Sequence, residues 1–145
     1  MSFVFVLISS WAKCIVRVNC SYCFRPAKLI KAKELHPRKR GWLYICYNCK
    51  AHVGCHRGTR EPLGYLATKD VRRLRHRCHK ALDPIWQSQI VTRSETYEWV
   101  AKVLNLPAEE AHIGKLNKSQ CQKLLVATKQ LKYQFYGLLQ KGDKE

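Results

Sequence analysis

At 145 residues the chain has room for one compact domain, or for a small metal-stapled module leaning on a cluster of helices. Its apolar and aromatic content suits a folded protein and excludes a disordered one, and a formal net charge of +17 excludes a neutral or acidic surface. The charge is unevenly placed. Residues 1–80 carry 18 Lys and Arg against 3 acids, whereas residues 81–145 carry 9 against 7. Such an asymmetry directs the first half towards a polyanion, because each phosphate neutralised releases condensed counterions. Nucleic acid is the leading partner on this ground; an acidic protein partner and a merely solubilising surface compete with it.

The chain opens with an apolar leader, residues 1–18. Phe3-Val-Phe-Val-Leu-Ile8 is brief, lacks a basic start and a small-residue cleavage site, and is too short to span a bilayer. It reads either as an edge strand or as the product of an upstream start, with initiation near Val16 or Val18. No membrane association is expected. Eight cysteines without secretory features place the chain in a reducing cytoplasm, with thiols free to bind metal.

Residues 19–60 read as two metal knuckles carried on short strands. Ala27–Lys33 and Trp42–Tyr47 are the expected strands, the second rich in aromatic and β-branched residues. Between them His36-Pro-Arg-Lys-Arg-Gly41 reads as an exposed basic turn, since Pro and Gly break the pattern and the charges resist burial.

Residues 61–141 read as a helical region. Val71, Leu74, Cys78, Leu82 and Ile85 recur at helical spacing from about Lys69, leaving Arg72, Arg73, Arg75, Arg77 and Lys80 largely off that stripe. Asp83-Pro84 predicts a fresh helix start, with an N-cap followed by Pro at the first helical position. Thr92-Arg-Ser-Glu95 fits a capping box that opens a helix to about Leu104, with Tyr97, Val100, Ala101 and Leu104 facing inward. Asn117-Lys-Ser-Gln120 resembles another, leading into a last helix with Cys121, Leu124, Leu125, Thr128, Leu131, Phe135 and Leu138 on one side. The expected fold class is α+β, a small zinc-ribbon-like β module followed by a cluster of α-helices.

Cys20-Ser-Tyr-Cys23 and Cys46-Tyr-Asn-Cys49 stand 22 residues apart. Each CxxC turn lets two thiolates reach one ion, and two such turns close a tetrahedral four-sulfur site. Soft thiolates in that geometry favour Zn2+ over other ions, iron being the usual impostor. With all four positions filled by protein, one structural ion is expected, contributing folding energy and no chemistry. A redox dithiol is the competing reading, but it would use a single CxxC. His52, Cys55 and His56, and further on Cys78 and His79, could build a second metal site; Cys78, on an apolar stripe, reads as core, as do Cys14 and Cys121.

Taken with the blocks that follow, the knuckles resemble a zinc-finger-containing domain family of unknown function found in phage and prophage proteins. The carrying segments are Cys20-Ser-Tyr-Cys23, Tyr44-Ile-Cys46-Tyr-Asn-Cys49-Lys-Ala-His-Val-Gly-Cys55-His56-Arg-Gly-Thr59 and Pro62-Leu-Gly-Tyr-Leu-Ala67. They continue through Leu74-Arg75, His79, Asp83-Pro-Ile-Trp86, Arg93-Ser-Glu-Thr-Tyr97-Glu-Trp99 and His112-Ile-Gly114 to Cys121. The resemblance implies that the two CxxC pairs are zinc ligands and that the chain is a small phage-encoded intracellular protein. It supplies no activity. The apolar leader, Tyr65 and Arg77-Cys78 depart from the family pattern.

Three functions are weighed. The first is non-enzymatic nucleic-acid binding through phosphates, by Arg38, Lys39 and Arg40 on the turn and by Arg72, Arg73, Arg75 and Arg77 on the helix. Tyr22, Phe24, Trp42 and Tyr47 could stack on unpaired bases, although core packing is the competing reading for such rings. The second is an adaptor docking on a host protein through Phe135, Tyr136, Leu138 and Leu139. The third is a histidine–metal nuclease using His52, His56, His79 and Asp83, which lacks an acid beside His52 or His56. No phosphate-cradling Gly-rich loop or nucleophile elbow is present, so the chain is expected not to be an enzyme.

Overall fold

A computed structural model of the chain describes residues 17–142, with side chains described through residue 132. The aromatic and β-branched run Trp42–Cys46 forms the central strand β2 of a three-stranded antiparallel sheet, flanked by β1 (Lys28–Lys31) and β3 (Ala51–Gly54). Register is fixed by Ile30 opposite Leu43 on one side and by Tyr44 opposite Val53 on the other. Because side chains alternate across a strand, β2 serves two cores at once. Leu43 and Ile45 close one face with Ile30 and Ala32, while Tyr44 and Cys46 join Cys20, Ala51, Val53 and Leu66 on the other.

The first strand ends sooner than its apolar pattern suggests. Instead of running to Lys33 it gives way to a single helical turn, α1 (Ala32–Leu35), where Glu34 Oε1 accepts the Lys31 backbone N–H at 2.8 Å. Strand β3 has little signal in the sequence, since Ala, His and Gly favour strands weakly, and pairing with β2 decides the matter. Of the leader, only Arg17 and Val18 fall among the described residues; Val18 packs on the sheet and its carbonyl accepts the Ala27 N–H at 2.8 Å.

The helical half comprises α2 (Lys69–Gln87), α3 (Arg93–Leu104) and α4 (Lys118–Gly142), joined by two short 3₁₀ turns at Ala108–Glu110 and Ile113–Lys115. Leu82, Val100, Ile113, Leu116 and Leu124 are fully buried at its centre, beside Cys78 and Cys121. Each large side chain removed from water here contributes about 1.5–3 kcal/mol. The buried hydroxyls are satisfied within their own helices, Thr96 on the Thr92 carbonyl and Thr128 on that of Leu124.

Both capping boxes form. Thr92 and Glu95 exchange bonds at the head of α3, and Asn117 and Gln120 do so at the head of α4. The expected break at Asp83-Pro84 does not occur: α2 continues through Pro84 to Gln87. Pro84 forfeits the N–H bond to the Lys80 carbonyl, but the helix ends within one turn of it, so little helix beyond depends on the geometry there. Asp83 meanwhile turns its carboxylate to Trp86 Nε1 at 3.4 Å and to His79 Nδ1 at 3.5 Å, instead of capping a new helix. The Phe135 and Leu138 positions assigned to the last helix's apolar side lie outside the described side chains.

Two glycines weld the sheet module to the helices. Residues 55–67 double back along β3, with Ala67 bonded to His52 and Cys55 bridged to Pro62, and then meet the second 3₁₀ turn. There the Tyr65 N–H donates to the Gly114 carbonyl at 3.0 Å. A Cβ on Gly64 would lie 2.2 Å from that carbonyl oxygen, and one on Gly114 would lie 2.7 Å from the Leu63 oxygen. Arg75 braces the same seam, donating to the Tyr65 and Leu116 carbonyls at 2.8 and 2.9 Å. We predict that Gly114→Ala lowers stability by about 1–3 kcal/mol through overpacking. A denaturant midpoint unchanged from the parent protein would contradict this contact.

Candidate metal centre

The first knuckle hangs from the strand ladder. Asn19 pairs with Pro26, and within that bridge the Cys20 N–H donates to the Arg25 carbonyl while the Phe24 N–H donates to the Cys20 carbonyl, both at 2.9 Å. The second knuckle is the β2–β3 connection itself, with Cys46 opposite Ala51 and Tyr47-Asn-Cys-Lys50 as the loop. In each case the residue after the second cysteine adopts a left-handed backbone, Phe24 at φ 58° and Lys50 at φ 53°. An L-residue there costs about 1–3 kcal/mol, which persists only where surrounding bonds over-determine it.

The two turns bring the four sulfurs together. The Sγ atoms of Cys20, Cys23, Cys46 and Cys49 all lie within 4.8 Å of one another, and those of Cys23 and Cys46 are 3.6 Å apart. A tetrahedral zinc with Zn–S bonds of about 2.3 Å sets its sulfurs about 3.8 Å apart, so the donor set and its spacing fit that ion. Each knuckle supplies one buried sulfur, Cys20 or Cys46, and one half-buried sulfur, Cys23 or Cys49.

Such crowding governs ionisation. The Arg25 backbone N–H draws the Cys23 thiol down to about 7. Cys49, whose proton is held by the Cys23 sulfur and which is penalised by burial, is pushed up to about 12. A divalent cation removes this conflict by compensating all four thiolates at once. Four protein donors leave no position for water, so the centre is structural.

The remaining predicted residues disperse. Arg38, Lys39 and Arg40 are exposed on the turn before β2, as expected. They stand at the far end of that strand from Cys46, about 14 Å away at strand rise, so the metal does not itself present them. On α2, Arg73 and Arg77 face solvent. Arg72 and Arg75 are half-buried and turned inward, Arg72 donating to the Ala67 carbonyl at 2.7 Å and Arg75 bracing the seam. A helical stripe in the sequence does not reveal this, because the carbonyls that hold them come from other segments.

The four residues weighed for a nuclease do not form one group. His52 lies on β3 with its Nε2 3.4 Å from that of His36, and burial, reinforced by Arg72, His36 and Lys39, drives its pKa down to about 4. His79 and Asp83 lie one helical turn apart on α2, and His56 occupies an exposed turn. Cys78 and Cys121 are core thiols, the contact with Cys121 and then burial pushing the Cys78 thiol well above its usual range. Among the described residues, the knuckle cysteines alone form a group of three or more potential metal ligands.

A family model described as a zinc-finger-containing domain matches residues 16–131, which is most of the chain. Neither a curated protein nor a solved structure matches it. We predict one zinc per chain, lost in Cys46→Ser together with the folded state of residues 19–60; a folded, metal-free module in the NMR spectrum would refute the structural role. Zinc binding displaces thiol protons, so affinity falls with acidification. Because Cys23 is already ionised above about 7, the fall steepens below that pH. A competitive chelator titration across pH 5–9 (roughly two units either side of that value) checks the slope.

Proposed function

The chain belongs to that zinc-finger-containing family, and we propose that its basic first half binds nucleic acid without catalysis, chiefly through phosphate contacts. One juxtaposition carries the reading: exposed aromatic rings and exposed cations share a single small module. Phe24 is 79% exposed, Tyr47 61% and Tyr22 45%, all three at or beside the knuckle cysteines. Arg25, Lys28 and Lys50 flank them and are exposed too. A folding core gains nothing from rings left in water, whereas unpaired bases stack on such rings and phosphates pair with the cations beside them. Trp42 differs: it is half-buried, with Lys31 Nζ 3.8 Å above its ring and Arg60 5.0 Å away.

Phosphate contacts of this kind make affinity fall steeply with salt and carry little sequence information. No helix among the described residues is long and apolar enough to cross a membrane, and a reducing cytoplasm suits the free thiols of this reading.

A second reading, a phage-encoded adaptor for a host protein, is favoured by one feature of the helical half. An apolar groove of about 420 Å³ opens between the end of α2, the head of α3 and α4, lined by Ile85, Ile90, Trp99 and Leu131 among others. Phe135, Tyr136, Leu138 and Leu139, which the adaptor reading invokes, lie outside the described side chains.

We predict that reversing Arg38, Lys39 and Arg40 together to Glu weakens binding to single-stranded oligonucleotides and flattens the dependence of log affinity on log salt by about 2, near 0.7 per lost contact. Reversing Lys102 and Lys118 in the helical half should change both far less. Fluorescence anisotropy over a salt series measures this. Equal losses from the two sets, or no binding by the parent protein, would sink the proposal.

A further inference from the structure

A second polar cluster lies at the helical end of the seam, in a chain of contacts running from His79 to His112. On α2, Asp83 Oδ1 lies 3.5 Å from His79 Nδ1 and accepts the Trp86 Nε1 hydrogen at 3.4 Å. At the first turn of α3 the Arg93 guanidinium lies over Trp86 at 5.7 Å and over Tyr97 at 5.5 Å. The Tyr97 ring in turn contacts His112, with centroids 5.3 Å apart and planes tilted by 33°. His112 stands two residues before Gly114, so the glycine weld to the sheet module also fixes its position.

The electrostatics of this cluster are one-sided. His112 is exposed at the surface, yet partial desolvation lowers its basicity, and Arg93, Lys115, His79 and His56, from α3, its own turn, α2 and the sheet module, lower it further. The nearby carboxylates are engaged: Asp83 with His79 and Trp86, Glu110 with Lys115 at 3.2 Å, and Glu95 with the Thr92 N–H at 2.7 Å. A divalent cation would meet Arg93 and Lys115 here, and the cluster is not among the potential metal-ligand groups of the described residues.

We propose that this cluster is a binding site for a phosphoryl oxyanion, with Arg93, His79 and His112 as its donors. Rings that occupy the faces of a guanidinium leave its edge, the part that forms paired N–H bonds to phosphate oxygens. Asp83, lying against Nδ1 of His79, orients that ring and leaves Nε2 as the outward donor. An anion placed among these groups would offset the repulsion that Arg93, Lys115, His79 and His56 exert on a protonated His112. The inference rests on the nucleic-acid reading only for the source of the phosphate; the site itself is defined by its own donors.

The test uses the full zinc-loaded chain and inorganic phosphate as probe, followed through the histidine Cε1–H signals in NMR. Saturable shifts of His79 and His112 at millimolar phosphate, absent with chloride, are expected. Arg93→Gln should weaken that binding about tenfold or more through loss of a charge-assisted paired contact, and Arg93→Lys, which keeps charge but loses the fork, should fall between. Should Arg93→Gln lose its fold by circular dichroism, His112→Gln replaces it, with the same weakening expected.

Unmoved His79 and His112 signals, or equal affinity in the folded variants, would overturn the site. A 5′-phosphorylated oligonucleotide and its unphosphorylated twin then identify the source. Weakening by Arg93→Gln of the phosphorylated form alone assigns a terminal phosphate, and weakening of both assigns the backbone. Oligonucleotide binding without a phosphate response would defeat this site and leave the proposed function standing; the reverse outcome would do the opposite.

Discussion

Four sulfur atoms crowded within 4.8 Å set the terms for everything N-terminal to α2. Thiolates at that spacing repel one another, and Cys23 and Cys49 already express the conflict in opposite directions. A single divalent ion resolves it by compensating all four thiolates at once. The sheet it organises is small, with strands of four or five residues, and so few buried residues do not by themselves outweigh the entropy of ordering the chain. The knuckles close its core on the face carrying Tyr44, Cys46 and Val53, and they hold two residues in backbone conformations that an L-residue avoids when unconstrained.

The helical half stands on different physics. Its core is an apolar cluster of ordinary kind, and the starts of α3 and α4 are set by side chains that take up the first free N–H groups. What joins it to the sheet is backbone against backbone: Gly64 beside Gly114, with Arg75 bonded to carbonyls on both sides. Basic side chains on this protein therefore have two destinations. Arg72 and Arg75 serve the fold, while Arg38–Arg40, Arg73 and Arg77 remain at the surface.

Much of this was legible in the residues. The zinc ligands followed from two CxxC pairs, the second strand from its composition, and both capping boxes from spacing alone, because each of these signals is local. The third strand was not legible, since Ala51-His-Val-Gly54 is extended by its partner and not by its own propensity. Asp83-Pro84 misled for a related reason: the dipeptide is a good helix start in isolation, but Asp83 had His79 and Trp86 within reach. The inward turn of Arg75 onto Leu116 and the contact of Tyr97 with His112 depend on segments distant in sequence, and that of Arg72 onto Ala67 on the loop before α2, none of which periodicity can register.

Phe24 combines two liabilities seldom found at one position. Its backbone would suit glycine better, and its phenyl ring stands in water next to the metal-ligand candidate Cys23. Selection for solubility or robustness alone would remove it, since glycine relieves the first burden and erases the second. If the exposed ring stacks on bases as proposed, durability and recognition pull in opposite directions at this position. A laboratory effort to harden the scaffold would then reach Phe24 early and give up that contact.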